Sequence, residues 1–392
     1  MKNTVQPVFH RRDRRSFLKQ SVVAAGAATV SANLLRAPRS TAAQEDEGSN
    51  GSLSAGDAAI LRFLQVLETI ETDLWTQYAE LGGATNQGVS PIDLGFATGI
   101  SPDYTVALQA LDGDMPQYIA DNTDDEISHA AWLKAYLESK GAAPVDVSKF
   151  ATLKPSQVKG VPQHGRLTNL MQLTVDTSWW TRYRSDNKNP DLGDTGFANA
   201  IPDLAKGEHP AIPRNNDDIG TNNLTANPPI INNHLQAIAN TAGFHFAFIE
   251  QGGSSLYPSL AQRVQSAEVL RILLSIGPTE TSHFQTWHDK AGNAPNITDG
   301  NLSFPNLNGS KDPKVADEFQ TNLIMPEPTF FLSRKLPTIS IIRPTATEGA
   351  AMGAVQSLIN DGLFRGHVVN GKSDGFIELL KDLAEDADEA RR

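Results

Sequence analysis

Residues 276–287, IGPTETSHFQTW, place Glu280 and His283 three positions apart inside an apolar stretch of helical period. Val269, Leu273, Ile276, Glu280, His283 and Trp287 follow steps of four and three, so the acid and the imidazole stand on the stripe that an amphipathic helix turns inward. Residues 125–137, DEISHAAWLKAYL, repeat the arrangement: Ile119, Asn122, Glu126, His129, Leu133 and Tyr136 form one stripe with an acid and an imidazole at its middle. With 17 Glu and 9 His in 392 residues, chance supplies about 0.4 such E-x-x-H pairs. Two occur, both on core-facing seams.

Two further predicted helices each aim an acid inward. The stripe Gly243, Phe246, Glu250, Gly253, Tyr257 carries Glu250, and the seam Ile60, Leu64, Leu67, Glu71, Leu74, Tyr78, Leu81 carries Glu71, with Glu68 one turn away on an adjoining stripe. An unpaired buried carboxylate costs several kcal/mol, so four such helices imply a neutralising cation. An acid and a histidine at i and i+3 share a helix face, so the carboxylate can bridge two ions while the imidazole caps one. Two helices giving one Glu and two giving E-x-x-H form the ligand set of carboxylate-bridged dinuclear four-helix bundles. Oxygen and imidazole donors suit iron or manganese, and two such ions are expected.

The fold class expected is mainly α, a four-helix bundle. Its helices begin near Asp57 (read as the N-cap) and end at Gly82 and Gly83, then run from about Met115 to Ser139, Ile231 to Leu256, and Ala261 to Ala291. Residues 44–56 read as a flexible leader and 57–292 as the bundle. Within it, 146–230 form an insertion with one helix over Arg166 to Ser185. Residues 293–392 form a C-terminal extension with helices near Thr347 to Phe364 and Ser373 to Ala390 and a strand over Thr338 to Arg343. Gly277 and Pro278 predict a kink or bulge just before Glu280. His288 reads as a surface residue and His245 as a satisfied core histidine; Trp179, Trp180 and Tyr183 read as helix packing rather than a binding platform. Gly82-Gly83 and Gly252-Gly253 require only helix-end explanations.

Composition narrows the chemistry. The chain has no Cys, which excludes disulfides, thiolate metal sites and a cysteine nucleophile. Net charge is −12, and Lys and Arg are not clustered after the first forty residues, which argues against nucleic acid as a partner. Arg14, Arg15, Ser16, Phe17, Leu18 and Lys19 precede a mild apolar run (21–35) and the small residues 40–43. This is similar to a twin-arginine (Tat) signal over residues 1–43, and the run is too short to span a bilayer. That segment holds eight basic residues against Asp13, so its removal would leave a charge of −19. The expectation is a mature chain without a transmembrane segment, periplasmic or secreted, that crosses the membrane already folded.

The runs Leu61 to Trp75 (LRFLQVLETIETDLW), Asp125 to Leu137, Lys140 to Val145 (KGAAPV), Phe246 to Tyr257 (FAFIEQGGSSLY) and Ile276 to Trp287 resemble the exported ferritin-like domain family, which includes plant desiccation-related proteins. The resemblance implies a ferritin-like four-helix bundle. Its pattern of an acid followed seven residues later by an aromatic matches Glu68 with Trp75, and Glu250 with Tyr257. It therefore favours Glu68 where the seam favours Glu71, and Glu71 stays as the alternative. The ligand set expected is Glu68, Glu126, His129, Glu250, Glu280 and His283, with Tyr78, Tyr136 and Tyr257 as their neighbours. Redox chemistry on dioxygen, peroxide or ferrous iron is the expected function, as in di-iron or di-manganese oxidoreductases. The alternative is a non-enzymatic desiccation or stress protein of the envelope that keeps the scaffold. The partner expected is a small inorganic substrate or none; a homo-oligomer is allowed, but not a closed storage cage with so large an insertion and tail.

Overall fold

A computed structural model describes residues 51–84, 94–182, 196–307, 326–328, 335, 338–340 and 349–390. The twin-arginine run, with Arg14 and Arg15, lies outside these residues, as do Tyr183 and most of 308–348. Four long helices carry the acids: α1 (Ala55–Gly82), α3 (Met115–Ser139), α6 (Asn233–Ala261) and α7 (Ala267–Ala291). Shorter helices lie between and after them: α2 (Pro102–Gln109), α4 (Ser178–Arg182), α5 (Asn216–Ile219), α8 (Ala350–Asp361) and α9 (Phe376–Glu389). Among the described residues, strands form only two-stranded antiparallel ribbons, one pairing Pro326–Pro328 with Thr338–Ser340. No described helix is long and apolar enough to cross a membrane.

Helix ends follow from side chains. Ser54, not Asp57, caps α1, its hydroxyl accepting from the Asp57 amide at 3.1 Å. The Asp57 carboxylate instead accepts the amides of Gln265 (2.8 Å) and Ser266 (3.0 Å) just before α7, so the acid ties two bundle helices together. α2, absent from the expected helices, starts with Ser101 as cap and Pro102 at its first position. α7 runs unbroken through Gly277 and Pro278, without the expected bulge.

Contacts set the directions of the helices. Arg62 reaches the carbonyl of Ala143, Thr72 that of Glu126, and the amide of Ala84 that of Pro116, so α1 and α3 are antiparallel. Glu250 with His283, and Asn240 with Pro295, make α6 and α7 antiparallel. Glu68 with Tyr257, and Tyr78 with His245, make α1 and α6 antiparallel as well. The order is therefore up, down, down, up. The chain leaving α3 must travel back along the bundle, about 37 Å for a helix of 25 residues, before α6 can begin.

The described residues between α3 and α6, 140–182 and 196–232, belong to that return. Of the helix expected over Arg166 to Ser185, the described residues 166–182 form a helical turn only at α4; before it the chain is irregular, with Leu153 bridging Arg166 and Leu173 bridging His209. Asp73 on α1 explains the difference. Its Oδ2 accepts from the amides of Leu167 (3.1 Å) and Thr168 (2.9 Å) and from the Thr168 hydroxyl (2.6 Å), drawing this segment onto the helix. Trp179 and Trp180 pack beside Phe244 and His288, closing over the α6–α7 pair. His288 is therefore buried rather than at the surface. In the extension, α9 packs on α1, and α8 on α9 and α6.

Arg166 is buried and paired with Glu80 on α1. Removing one partner strands the other charge in a dry site. Glu80→Gln should cost about 3–5 kcal/mol in chemical denaturation, while Glu80→Met combined with Arg166→Met should recover most of that loss. Equal losses in the two variants would assign the effect to packing instead.

Candidate metal centre

The four inward acids meet at mid-bundle. Ligand-type atoms of Glu68, Glu126, His129 and Glu280 lie within 4.8 Å of one another, and so do those of Glu126, Glu250, Glu280 and His283. Glu126 and Glu280 belong to both groups, so the two clusters share an edge made of two carboxylates. All four acids are at most 2% exposed.

Both imidazoles turn Nδ1 toward the acids. His129 Nδ1 lies 3.3 Å from Glu68, 3.2 Å from Glu126 and 3.4 Å from Glu280. His283 Nδ1 lies 3.2 Å from Glu126 and 3.3 Å from Glu250, and its Nε2 lies 3.0 Å from Asp125. A carboxylate on the far nitrogen fixes the tautomer and leaves the near nitrogen as a donor lone pair for a cation. Asn122 performs the matching task for the acids. Its amide donates to Glu126 (2.8 Å) and Glu250 (3.0 Å), and its carbonyl accepts from the Trp287 indole at 2.7 Å. The Tyr257 hydroxyl donates to Glu68.

Three carboxylate oxygens make no hydrogen bond, although His129 Nδ1 stands 3.3 Å and 3.4 Å from two of them. Glu68 Oε2 and both oxygens of Glu280 are buried without a hydrogen-bond partner. Gly253 keeps room for Glu280: a Cβ there would stand 2.7 Å from its Oε2. This glycine lies within α6 and serves the centre, not a helix end. Buried carboxylates, orphaned oxygens and imidazole lone pairs converging on one place form a donor set suited to hard or intermediate divalent cations. The charges of four carboxylates equal those of two such ions, with both imidazoles neutral.

Other expected residues sit differently. Glu71 is in neither cluster; it lines a small cavity with Glu68, Tyr257 and Leu358, where α8 covers the α1–α6 groove. Tyr78 bonds to His245, away from the acids, and His245 is buried and satisfied, as its sequence setting suggested. Tyr136 lines a surface cleft of about 420 Å³ with His129, Trp132, Glu268, Ile272 and Ile276, so His129 marks where the centre approaches solvent. Asn122 and Asp125 had no role assigned from sequence, although the one stands four residues before Glu126 and the other beside it.

Without a cation the cluster must neutralise itself with protons. Burial alone would depress His129, but Glu126 and Glu68 override it and push it up to about 10. His283 is raised too: its burial is outweighed by Glu250, Asp125 and Glu126. Burial, with Glu68 and Glu250 nearby, raises Glu126 to about 7, and burial with the other acids lifts Glu280 well above its usual range. Glu68 moves the other way: burial raises it, but His129 and Tyr257 bring it below its ordinary value. For His129 the stabilising contribution is complete below its unfolded value of 6.5 and is lost as pH rises through about 10. For Glu126 it is complete below 4.5 and lost through about 7. The metal-free chain should therefore lose thermal stability between about pH 5 and pH 9, whereas added manganese(II), which displaces these protons, should reverse the trend. A metal-free melting temperature that climbs over this range contradicts that picture.

The ferritin-like domain family matches residues 56–292, the span that carries all six of these acids and imidazoles. No curated protein and no solved structure matches the chain. The match covers more than half of the chain and coincides with the up-down-down-up helices and their shared centre, so this protein belongs to the ferritin-like domain family.

Proposed function

We propose that the chain is an exported ferritin-like protein that holds two iron or manganese ions between its helices and uses them for redox chemistry on dioxygen, peroxide or ferrous iron. The observation that carries this reading is the pair of four-residue clusters sharing Glu126 and Glu280, with orphaned carboxylate oxygens inside them. In this account Glu68, Glu126, Glu250 and Glu280 would hold the ions together with Nδ1 of His129 and of His283, Glu126 and Glu280 being common to both clusters. Asn122 and Tyr257 hold the carboxylates in place, and Asp125 holds His283. Bound iron or manganese would supply one-electron steps between its divalent and trivalent states. The cleft at Trp132 and Tyr136 gives a small oxidant a route to His129.

Export is part of the reading. A twin-arginine signal moves folded protein, which suits a chain that takes up its metal before leaving the cytoplasm. Replacing both Arg14 and Arg15 by Lys should leave the precursor in the cytoplasm, as read by cell fractionation; unchanged export would remove the signal from the account.

Elemental analysis of protein exported from its own host tests the centre. Close to two iron or manganese ions per chain are expected, and Glu280→Ala should lose them, since its carboxylate is common to both clusters. A native chain without metal, and without consumption of dioxygen or peroxide, would favour the scaffold role instead. Oxygen release from peroxide would mark catalase-type chemistry.

A further inference from the structure

A buried titratable unit lies outside the carboxylate centre. The Tyr78 hydroxyl is 2.7 Å from Nδ1 of His245, and Nε2 of His245 is 3.0 Å from Oδ2 of Asp361, the last residue of α8. All three side chains are at most 2% exposed. An ionised Asp361 takes the proton-bearing Nε2 and leaves Nδ1 as an acceptor for the phenol. The second carboxylate oxygen, Oδ1, is buried with no partner, so Asp361 retains capacity to stabilise an imidazolium.

Aromatic rings connect this unit to the centre. The ring of Tyr78 lies 5.7 Å from that of Trp75, and Trp75 stacks on Trp287 at 5.3 Å. Phe246 fills the angle, 4.5 Å from Tyr78, 4.9 Å from Trp75 and 4.8 Å from Trp287. The Trp287 indole bonds to Asn122, whose amide holds Glu126 and Glu250. From phenol to metal-binding carboxylates the path is continuous, and every ring on it is excluded from water.

A hydrogen-bonded clasp between α8 and the bundle would need the Tyr78–His245–Asp361 contacts but none of the rings. A phenol that gives up an electron becomes so acidic that its proton leaves at once, and in a dry interior only a bonded base can receive it. Tyr78 has that base and an unbroken ring path, two features with separate structural origins.

We infer that Tyr78 is a redox-active tyrosine that passes single electrons to the metal centre through Trp75 and Trp287 and places its proton on His245. The inference rests on the centre proposed above, with dioxygen as the oxidant. Tyr78 loses one electron, by which the oxidised centre is reduced by one. Its O–H bond breaks as an N–H bond forms at His245 Nδ1, leaving a neutral phenoxyl radical beside an imidazolium held by Asp361. One electron from an external small-molecule reductant, together with return of the proton, restores the phenol. Dioxygen needs four electrons to become water and two divalent ions supply two, so a tyrosine that lends a third has a use.

The test is electron paramagnetic resonance on the full chain, loaded anaerobically with iron(II), assayed for metal and freeze-quenched after mixing with dioxygen. A tyrosyl signal is expected, narrowed by ring-deuterated tyrosine and altered in D₂O by the proton shared with His245. Tyr78→Phe should lose it with metal content unchanged, Trp75→Leu should slow its appearance, and Tyr136→Phe should keep it. Metal-loaded native protein without a tyrosyl signal, a signal that survives Tyr78→Phe, or one lost in Tyr136→Phe overturns the relay alone. The labelled native sample decides the matter even if Tyr78→Phe fails to fold. A chain that takes up no iron overturns the centre first and leaves Tyr78 without an oxidant, an outcome read directly from the metal assay.

Discussion

The mutual repulsion of four carboxylates in a water-free space is the constraint around which this bundle is arranged. Glu68, Glu126, Glu250 and Glu280 are held at one level by four different helices, where each would be costly alone. The surroundings do not dilute the charge; they aim it. Asn122 grips two of the acids, Tyr257 a third, and the missing side chain of Gly253 leaves space for the fourth. The residual orphaned oxygens are what a cation site looks like from the protein's side.

Topology follows from the same requirement. Two antiparallel pairs, α1 with α3 and α6 with α7, each supply a Glu and an E-x-x-H, and they face each other across the shared edge. Joining two such pairs with α3 and α6 running the same way needs a long return path. The described residues 140–182 and 196–232 belong to that path, fastened to α1 by Asp73 and by the Glu80–Arg166 pair. The extension adds a second cover, since α9 lies on α1 and α8 on α6. Asp361, contributed by this cover, completes the hydrogen bonds of His245.

How much of this was legible beforehand depended on whether a residue's partner lay on its own helix. Glu126 with His129 and Glu280 with His283 are local patterns, so the bundle and its centre could be read from spacing, and α3 has the bounds that its periodicity suggested. The choice between Glu68 and Glu71 could not. α1 is covered by α3, α6 and α9, more than one of its stripes is buried, and a seam count then has no unique answer. His288 reads as a surface residue, but two tryptophans from the crossover close over it. Residues 166–177 read as helix, since nothing local reveals that Asp73, far away in the chain, captures the amides of Leu167 and Thr168. Asp57 reads as the cap of its own helix, but its carboxylate serves the start of another. In each case a distant partner outweighed local propensity.

The central claim, that divalent ions make these buried acids tolerable, is tested most directly by anomalous diffraction from crystals grown with iron or manganese. The account predicts two peaks between the four helices, each beside Nδ1 of one histidine and both within bonding distance of Glu126 and Glu280. An ordered centre with no anomalous signal, its carboxylates protonated and bonded to one another, would contradict it.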